Sequence, residues 1–401
     1  MSVQPAVFKS PSNEDVAGLG TAPIPAGPYY RPEYLELERE AIFKRTWLQI
    51  AHVCELPKPG TFIVRPVEVA NASILITRGK DDKLRAFYNV CTHRGTELVA
   101  EASGTRSSFT CPYHAWTFGN DGKLRSAPDF ERFYIDKSQC DLLQVAIDVC
   151  AGIIFINLDK SPAQGLREFL GELGNQLETL PVARATTFAE WVYEVDANWK
   201  LVWDNFQENY HLRFIHPRSA SPACGPENPF GYAVQMAFYR VHRTQRIWAN
   251  PSATITPIQK FGFGKLHEFA LADGLIDNAH KRDYYALFPN FNIIGTPTNH
   301  FSHVVMPLSA SRTRGVFRMY WIGEDENATE RFARELAMVS AMEVHAEDRD
   351  VLEAGQRGLN SGALEHIHFQ SQEALCRHFF NTVDNAVQTY TANRQVKGAF
   401  A

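Results

Sequence analysis

The chain has 401 residues, with 40 Lys and Arg against 45 Asp and Glu and a net charge of −5. That length can bury a large core without disulfide staples, and with no basic block or stripe and no long acidic run nothing points to nucleic acid or a solvated acidic tail. No run of about 18 apolar residues marks a membrane span, the N-terminal "MSVQPAVFKSPSNEDVAG" lacks the apolar centre of a signal peptide, and seven irregularly spaced cysteines fit a reducing, cytoplasmic location.

Residues 1–45 are expected to form an N-terminal segment. A Pro-, Gly- and Ala-rich stretch to residue 30 wraps over other structure. A helical pattern follows in "RPEYLELEREAIFKRTWLQI" (31–50), with Pro32 near its start. From about 52 to 158 the pattern changes to short β-rich runs: "TFIVRPV", "SILITRG", "LRAFYNV", "SSFTCPY", "AWTFGND" and "GIIFINL". "NDGK" (120–123) is a hairpin turn. A small all-β domain over 46–160 is predicted.

That domain holds "CTHRG" (91–95) and "CPYHAW" (111–116). Thiolate with imidazole suits iron or zinc. A zinc finger more often puts a Cys pair in one loop and a His pair on a helix. Here each loop mixes one Cys with one His. A two-iron cluster can then take a thiolate from each loop on one iron and an imidazole from each on the other. Cys91, His93, Cys111 and His114 resemble the Rieske [2Fe–2S] pattern; a zinc ribbon is the competing reading. The respiratory branch of that family has two further cysteines, where this chain has Thr96 and Tyr113. The motifs instead resemble the Rieske oxygenase branch. Cysteines 54, 140, 150, 224 and 376 are read as buried thiols.

Residues 161–401 read as α+β, an antiparallel sheet with helices packed on it. "SPAQGLREFLGELGNQLETL" (161–180) is helical in period and "AEWVYEVDA" (189–197) is a strand. "NWKLVWDNFQENYHLRFIHP" (198–217) is a helix ended by Pro217. Long β-type runs follow, then helical patterns over 327–359 and in "QSQEALCRHFFNTVDNAVQTYTANR". His211 and His216 are five apart, about 140° around a regular helix, so the helix must loosen if both are to bind one metal. Two histidines and a carboxylate form the facial set of non-haem Fe(II) oxygenases. "HAEDRDVLEAGQRG" supplies the carboxylate: Asp348 is preferred and Asp350 competes.

"NWKL…DNF…E-x-YH…HP" resembles the catalytic domain of Rieske oxygenase α subunits, so the likeness covers most of the chain. It implies a helix-grip catalytic domain over 161–401, with residues 1–45 packed on it, and a head-to-tail homotrimer. In such trimers a carboxylate three residues before the first His ligand bridges to the neighbour's cluster; here that is Glu208, on one helix face with His211. Asn205 matches a polar position near the iron. Trp203, Phe291, Phe301 and His303 could line the pocket, but aromatics and a His on such strands are more often core and are read so. The implied cofactors are a Rieske cluster and mononuclear Fe(II), with O₂ as co-substrate. The chain has no dinucleotide or flavin fingerprint, so a separate ferredoxin or NAD(P)H-dependent reductase supplies electrons. The expected activity on a small organic molecule is monooxygenation, leading to N- or O-dealkylation or to hydroxylation of a methylated or quaternary amine or an aromatic compound. Ring cis-dihydroxylation is the alternative; an electron carrier lacking the second iron is a further one.

Overall fold

The structure, a computed structural model, describes residues 17–398 apart from 251, 254, 273, 275–280, 297 and 326. The first 16 residues of the expected N-terminal segment and the last three of the chain lie outside the described residues. The chain folds as two compact units, Arg39–Thr179 and the remainder. The sequence pattern places the boundaries at 45/46 and 160/161 instead.

The smaller unit is built from β-strands. A seven-stranded sheet runs in the order Leu48–His52, Ile153–Asn157, Gln144–Cys150, Leu84–Tyr88, Ala72–Arg78, Thr61–Val67 and Ser103–Thr105. A three-stranded sheet comprises Ser108–Thr110, Thr117–Gly119 and Leu124–Ser126. Phe62, Leu75 and Phe87 from the first pack with Phe109 and Phe118 from the second, and Cys91 and Cys111 belong to the same buried cluster. "NDGK" forms its hairpin, with Gly122 at φ +80°. The helix expected over 31–50 is shorter: it runs Pro32–Glu38, continues as a wide turn Arg39–Phe43, and becomes a strand at Leu48. The segment 161–180 is two short helices, Leu166–Leu170 and Glu172–Leu177, broken at Gly171 with φ +55°.

The larger unit has one antiparallel sheet of seven strands: β1 (Thr187–Val195), β2 (Gln235–Phe238), β3 (Arg243–Trp248), β4 (Lys281–Leu287), β5 (Phe291–Gly295), β6 (His300–Ser309) and β7 (Arg312–Trp321). Its order is β1-β7-β6-β5-β4-β3-β2. Helices α1 (Trp199–Asn205), α2 (Pro257–Ala272), α3 (Ala328–Asn360) and α4 (Ala374–Gly398) accompany it; α2 was not anticipated from the sequence. Asn198 caps α1 by accepting from Lys200 N–H, and its own N–H donates to Gln356 on α3 at 2.7 Å. The buried stripe of α3 is Ala333, Ala337, His345, Asp348, Leu352, Gln356 and Leu359. That three-and-four spacing turns His345 and Asp348 inward along with the apolar residues.

The described N-terminal residues, 17–38, belong to this larger unit. Ile24 and Pro25 pair with Ile367 and His366, and the Tyr29 hydroxyl donates to Asp204 at 2.7 Å. Among the described residues no helix is long and apolar enough to cross a membrane.

Candidate active site and metal centres

The two Cys/His loops share one backbone design. Cys91 N–H donates to Thr96 O, and Cys111 N–H to Trp116 O, each at 2.8 Å. The Cys91 and Cys111 carbonyls accept from Gly95 and Ala115 N–H. Gly95 and Ala115 occupy equivalent places with φ of +76° and +55°. Glycine takes that conformation freely, whereas alanine is strained there by about 1–2 kcal/mol. The result sets the donors side by side by type. The thiols are buried and in contact with each other. The imidazole rings of His93 and His114 meet at 4.6 Å between centroids. Trp116 stacks on His93 at 4.9 Å and 10°. His114 Nδ1 is buried without a hydrogen-bond partner. A zinc finger more often has a Cys pair in one loop and a His pair on a helix, and neither holds here. Thiols paired with each other, and imidazoles likewise, fit a two-iron cluster.

The second constellation forms where α1 stops. The helix expected over 198–217 is broken: α1 ends at Asn205, and one helical turn resumes at Leu212–Ile215. Glu208 and His211 therefore do not share a helix face; they sit in the connecting turn. The break brings His211 and His216 together, with ring centroids at 5.3 Å. Asp348 completes the group, and one donor atom from each lies within 4.8 Å of the other two. Asp348 Oδ1 is 2.8 Å from His216 Nε2 and 3.6 Å from His211 Nε2. His216 Nε2 and Asp348 Oδ1 are buried and, beyond their contact with each other, have no hydrogen-bond partner. Converging, desolvated, unsatisfied donors are what a metal ion would satisfy, so these residues fit the iron. Asp350 is exposed.

Each imidazole is backed by a carboxylate. Glu208 Oε1 pairs with His211 Nδ1, and Glu208 Oε2 accepts from the N–H groups of Tyr210 and His211. Glu347 Oε2 lies 2.6 Å from His216 Nδ1 and also accepts from the Ser219 hydroxyl. Burial alone would push His216 down, but the carboxylates of Asp348 and Glu347 outweigh it and hold the ring above its usual value. Asn205 is half-buried at the end of α1. Sequence reasoning missed Glu347, whose only signal was its place beside Asp348.

Beside Asp348 lies a group of rings. Trp191 and Tyr193 come from β1, Phe317 from β7, His303 from β6 and His345 from α3; Phe206 follows α1. Trp191 stacks on Phe317 at 5.5 Å and 7°, and His303 on Phe317 at 4.2 Å and 8°. Phe206 approaches His303 at 4.2 Å, and Tyr193 approaches His345 at 3.7 Å. Tyr193 can lie there because β7 has Gly315 opposite it; a Cβ at 315 would sit 2.0 Å from the ring. Burial drives His303 well below its usual value, and His345 to about 4. Both rings are neutral at physiological pH. His303, for which the sequence leaves core and pocket lining as readings with core preferred, is fully buried within this group.

Residues 182–389 match the family model "Ring hydroxylating alpha subunit (catalytic domain)", and residues 46–145 match "Rieske [2Fe-2S] domain". The chain belongs to the Rieske non-haem iron oxygenases. It is 32% identical over 364 residues to the carnitine monooxygenase oxygenase subunit of Acinetobacter baumannii, covering 87% of each chain. It is 34% identical over 199 residues to the glycine betaine monooxygenase oxygenase subunit of Chromohalobacter salexigens, 49% of this chain and 44% of that one. The fold superposes on the quaternary ammonium Rieske monooxygenase CntA in complex with L-carnitine with a TM-score of 0.74 and 26% identity, over 94% of this chain and 99% of that one. This oxygenase thus pairs a Rieske [2Fe–2S] domain with a non-haem iron catalytic domain and uses O₂ and externally supplied electrons to oxidise a small organic molecule.

Proposed function

We propose that this oxygenase acts on quaternary ammonium compounds, oxygenating a carbon bonded to the charged nitrogen. The observation that carries the reading is the ring group beside Asp348. Trp191, Tyr193 and Phe206 bring π faces to this group, and such faces attract a trimethylammonium head. The flanking histidines are neutral and do not repel it. Relatives named for carnitine and glycine betaine support the same reading.

In this proposal Cys91, His93, Cys111 and His114 hold the cluster, and His211, His216 and Asp348 hold the iron. When bound, the cluster supplies electrons one at a time and the iron an open position for O₂. Glu347 and Glu208 fix the ring orientation of the two iron-binding histidines. Glu208 also reaches the neighbouring subunit's cluster in a head-to-tail homotrimer, and Asn205 is a polar contact near the iron. The aromatic walls orient the ammonium and keep water out. The balance is R–N⁺(CH₃)₃ + O₂ + 2e⁻ + 2H⁺ giving R–N⁺(CH₃)₂CH₂OH + H₂O. The carbinol then releases formaldehyde and a proton, leaving R–N(CH₃)₂. Oxygenation on the longer arm instead releases trimethylamine and that arm's aldehyde. Electrons come from a separate reductase or ferredoxin linked to NAD(P)H, and the system works in the cytoplasm.

Single turnover of the chemically reduced protein with O₂ tests this without a partner. Offered quaternary ammonium compounds, aryl ethers and plain arenes together, the protein should yield an amine and an aldehyde from the first group. An arene product heavier by two oxygens and two hydrogens, with the ammonium compounds untouched, would replace this reading by ring dihydroxylation.

A further inference from the structure

Two members of the ring group have a chemistry that substrate contact does not use. Tyr193 and Trp191 are two apart on β1, so their side chains share one face, and their rings lie 5.1 Å apart. Tyr193 is the inner member. Its ring approaches that of His345 at 3.7 Å. His345 precedes Asp348 on the buried stripe of α3, and the Asp348 carboxylate is close enough to act on the Tyr193 hydroxyl. Trp191 is the outer member. It is half-buried, on the strand that forms the edge of the sheet. The pair leads from an iron ligand toward that edge.

Indole and phenol are the side-chain rings that give up one electron most readily; Phe206 and Phe317 do not. A phenol does so only if its proton leaves with the electron, because the oxidised phenol is a very strong acid. The Tyr193 hydroxyl lies 2.7 Å from His303 Nε2. Burial holds the Tyr193 hydroxyl well above its usual value and His303 well below its own. The phenol therefore keeps its proton at rest, and the neutral imidazole accepts the hydrogen bond through Nε2. That bond is a ready path along which the proton can move to His303 and return. A tyrosine held only for its shape needs neither the base nor the indole beside it.

We infer that Tyr193, His303 and Trp191 form an electron path that drains the oxidant made at the iron site when no substrate consumes it. The path rests on the oxygenase class and not on the quaternary ammonium reading. In each passage Tyr193 gives one electron to the oxidant and its proton to His303, leaving a phenoxyl radical and an imidazolium. Trp191 then gives one electron to the phenoxyl, and His303 returns the proton to the phenol oxygen. The vacancy ends on the Trp191 indole, where a small one-electron reductant such as ascorbate refills it. The O–H bond is the only bond broken, and it is remade. One oxidising equivalent is removed without adding oxygen to the residues around the iron.

Hydrogen peroxide supplies the oxidant for the test, because it is O₂ with the two electrons and two protons of turnover already added. The oxidised holoenzyme is mixed with peroxide without substrate, frozen, and read by electron paramagnetic resonance; its peptides are then weighed for added oxygen. The wild type should show an organic radical that disappears once the mononuclear iron is stripped. In Trp191→Phe the radical should stay on Tyr193, and ring-deuterated tyrosine should narrow its signal. In Tyr193→Phe the signal should be lost, and oxygen added to Phe206, His345 and the iron ligands should rise severalfold. Cluster absorbance and iron content at the wild-type level identify folded variants. If Tyr193→Phe does not meet them, His303→Leu, which removes the proton acceptor, carries the same expectation. A wild type with no organic radical would overturn the path. So would a radical undiminished in the folded variant, or added oxygen no greater than in the wild type, since the hydrogen bond would then hold only the shape of the group.

Discussion

Glu347 shows how a residue can be decisive and still illegible. It lies in "HAEDRD", a charge run that reads as a solvated helix face. The structure turns one carboxylate of that run, Asp348, inward and hangs Glu347 on His216. Such partners fix the tautomer and raise ligand basicity, and their loss typically costs 10–100-fold in metal affinity. Glu347→Ala should therefore lose its mononuclear iron to a chelator roughly 10–100 times faster than wild type. The visible spectrum of the cluster should not change. Equal iron release rates would mean that the contact holds only the helix. Asp204 supports a prediction of a different kind. Burial raises its carboxyl to about 8, against the pull of the Tyr29 hydroxyl, Arg243 and Lys200. An unfolded Asp titrates near 3.9, so the folded value lies above the unfolded one. The stabilising contribution is complete below about pH 4 and is lost as pH rises through about 8. Urea midpoints of wild type minus those of Asp204→Asn should fall between pH 5 and 8, by the equivalent of a few kcal/mol. A flat difference would place the proton elsewhere. The Rieske ligands were legible because Cys and His at fixed loop spacing are rare. The place of His303 in the ring group was not, because a polar residue on a strand reveals its face only once the register is known.

At the scale of elements, the informative failure is the helix over 198–217. Its apolar spacing continues past Asn205, so periodicity alone carries the helix on to Pro217. Asn205 and Asn209 are poor helix formers, and burial of Gln207 and Asn209 in the turn ends α1 early. The spacing of His211 and His216 already required some loosening; its position was not readable. Helix α2 was missed because "KFGFGK" reads as loop, although Gly262 is where Leu336 of α3 approaches too closely for a side chain. The N-terminal helix Pro32–Glu38 is fixed by a tie its sequence does not announce. Glu38 and Lys200 of α1 form a 2.6 Å ion pair, both fully buried, and Trp199 Nε1–H donates to Glu38. Burial pushes Glu38 up and Lys200 down, and each partner pulls the other back. Removing one charge strands the other, at about 3–5 kcal/mol, whereas replacing both with apolar residues is often neutral. Lys200→Met should lower unfolding stability by that amount, and Glu38→Leu with Lys200→Met should restore most of it, read by denaturant melts. A double variant no better than the single would show that the tie is one of shape and not of charge.

For the whole molecule the question is which cluster serves which iron. The sequence revealed both centres and the class of chemistry, because each centre is made by a short motif or by one helix. It could not reveal assembly, which depends on surfaces spread over the chain. In the proposed head-to-tail trimer, an electron passes from one subunit's cluster to the next subunit's iron through Glu208. That makes the two centres of one chain separable. A chain with Cys111→Ala has no cluster, and a chain with His211→Ala has no iron site; neither alone should turn over. Co-expressed and randomly mixed in a closed ring, they should regain about a quarter of wild-type activity, since half the donors and half the acceptors at each junction are sound. If electrons stayed within a chain, no mixture would recover anything, because every chain would lack one end of its own path. Adding Glu208→Ala to the Cys111→Ala chain removes the bridge from every iron-competent subunit and should abolish the regained activity. The same change in the His211→Ala chain should leave it intact, because that chain contributes only its cluster. The asymmetry between those two mixtures assigns Glu208 to the iron side of the junction, which neither single variant can do.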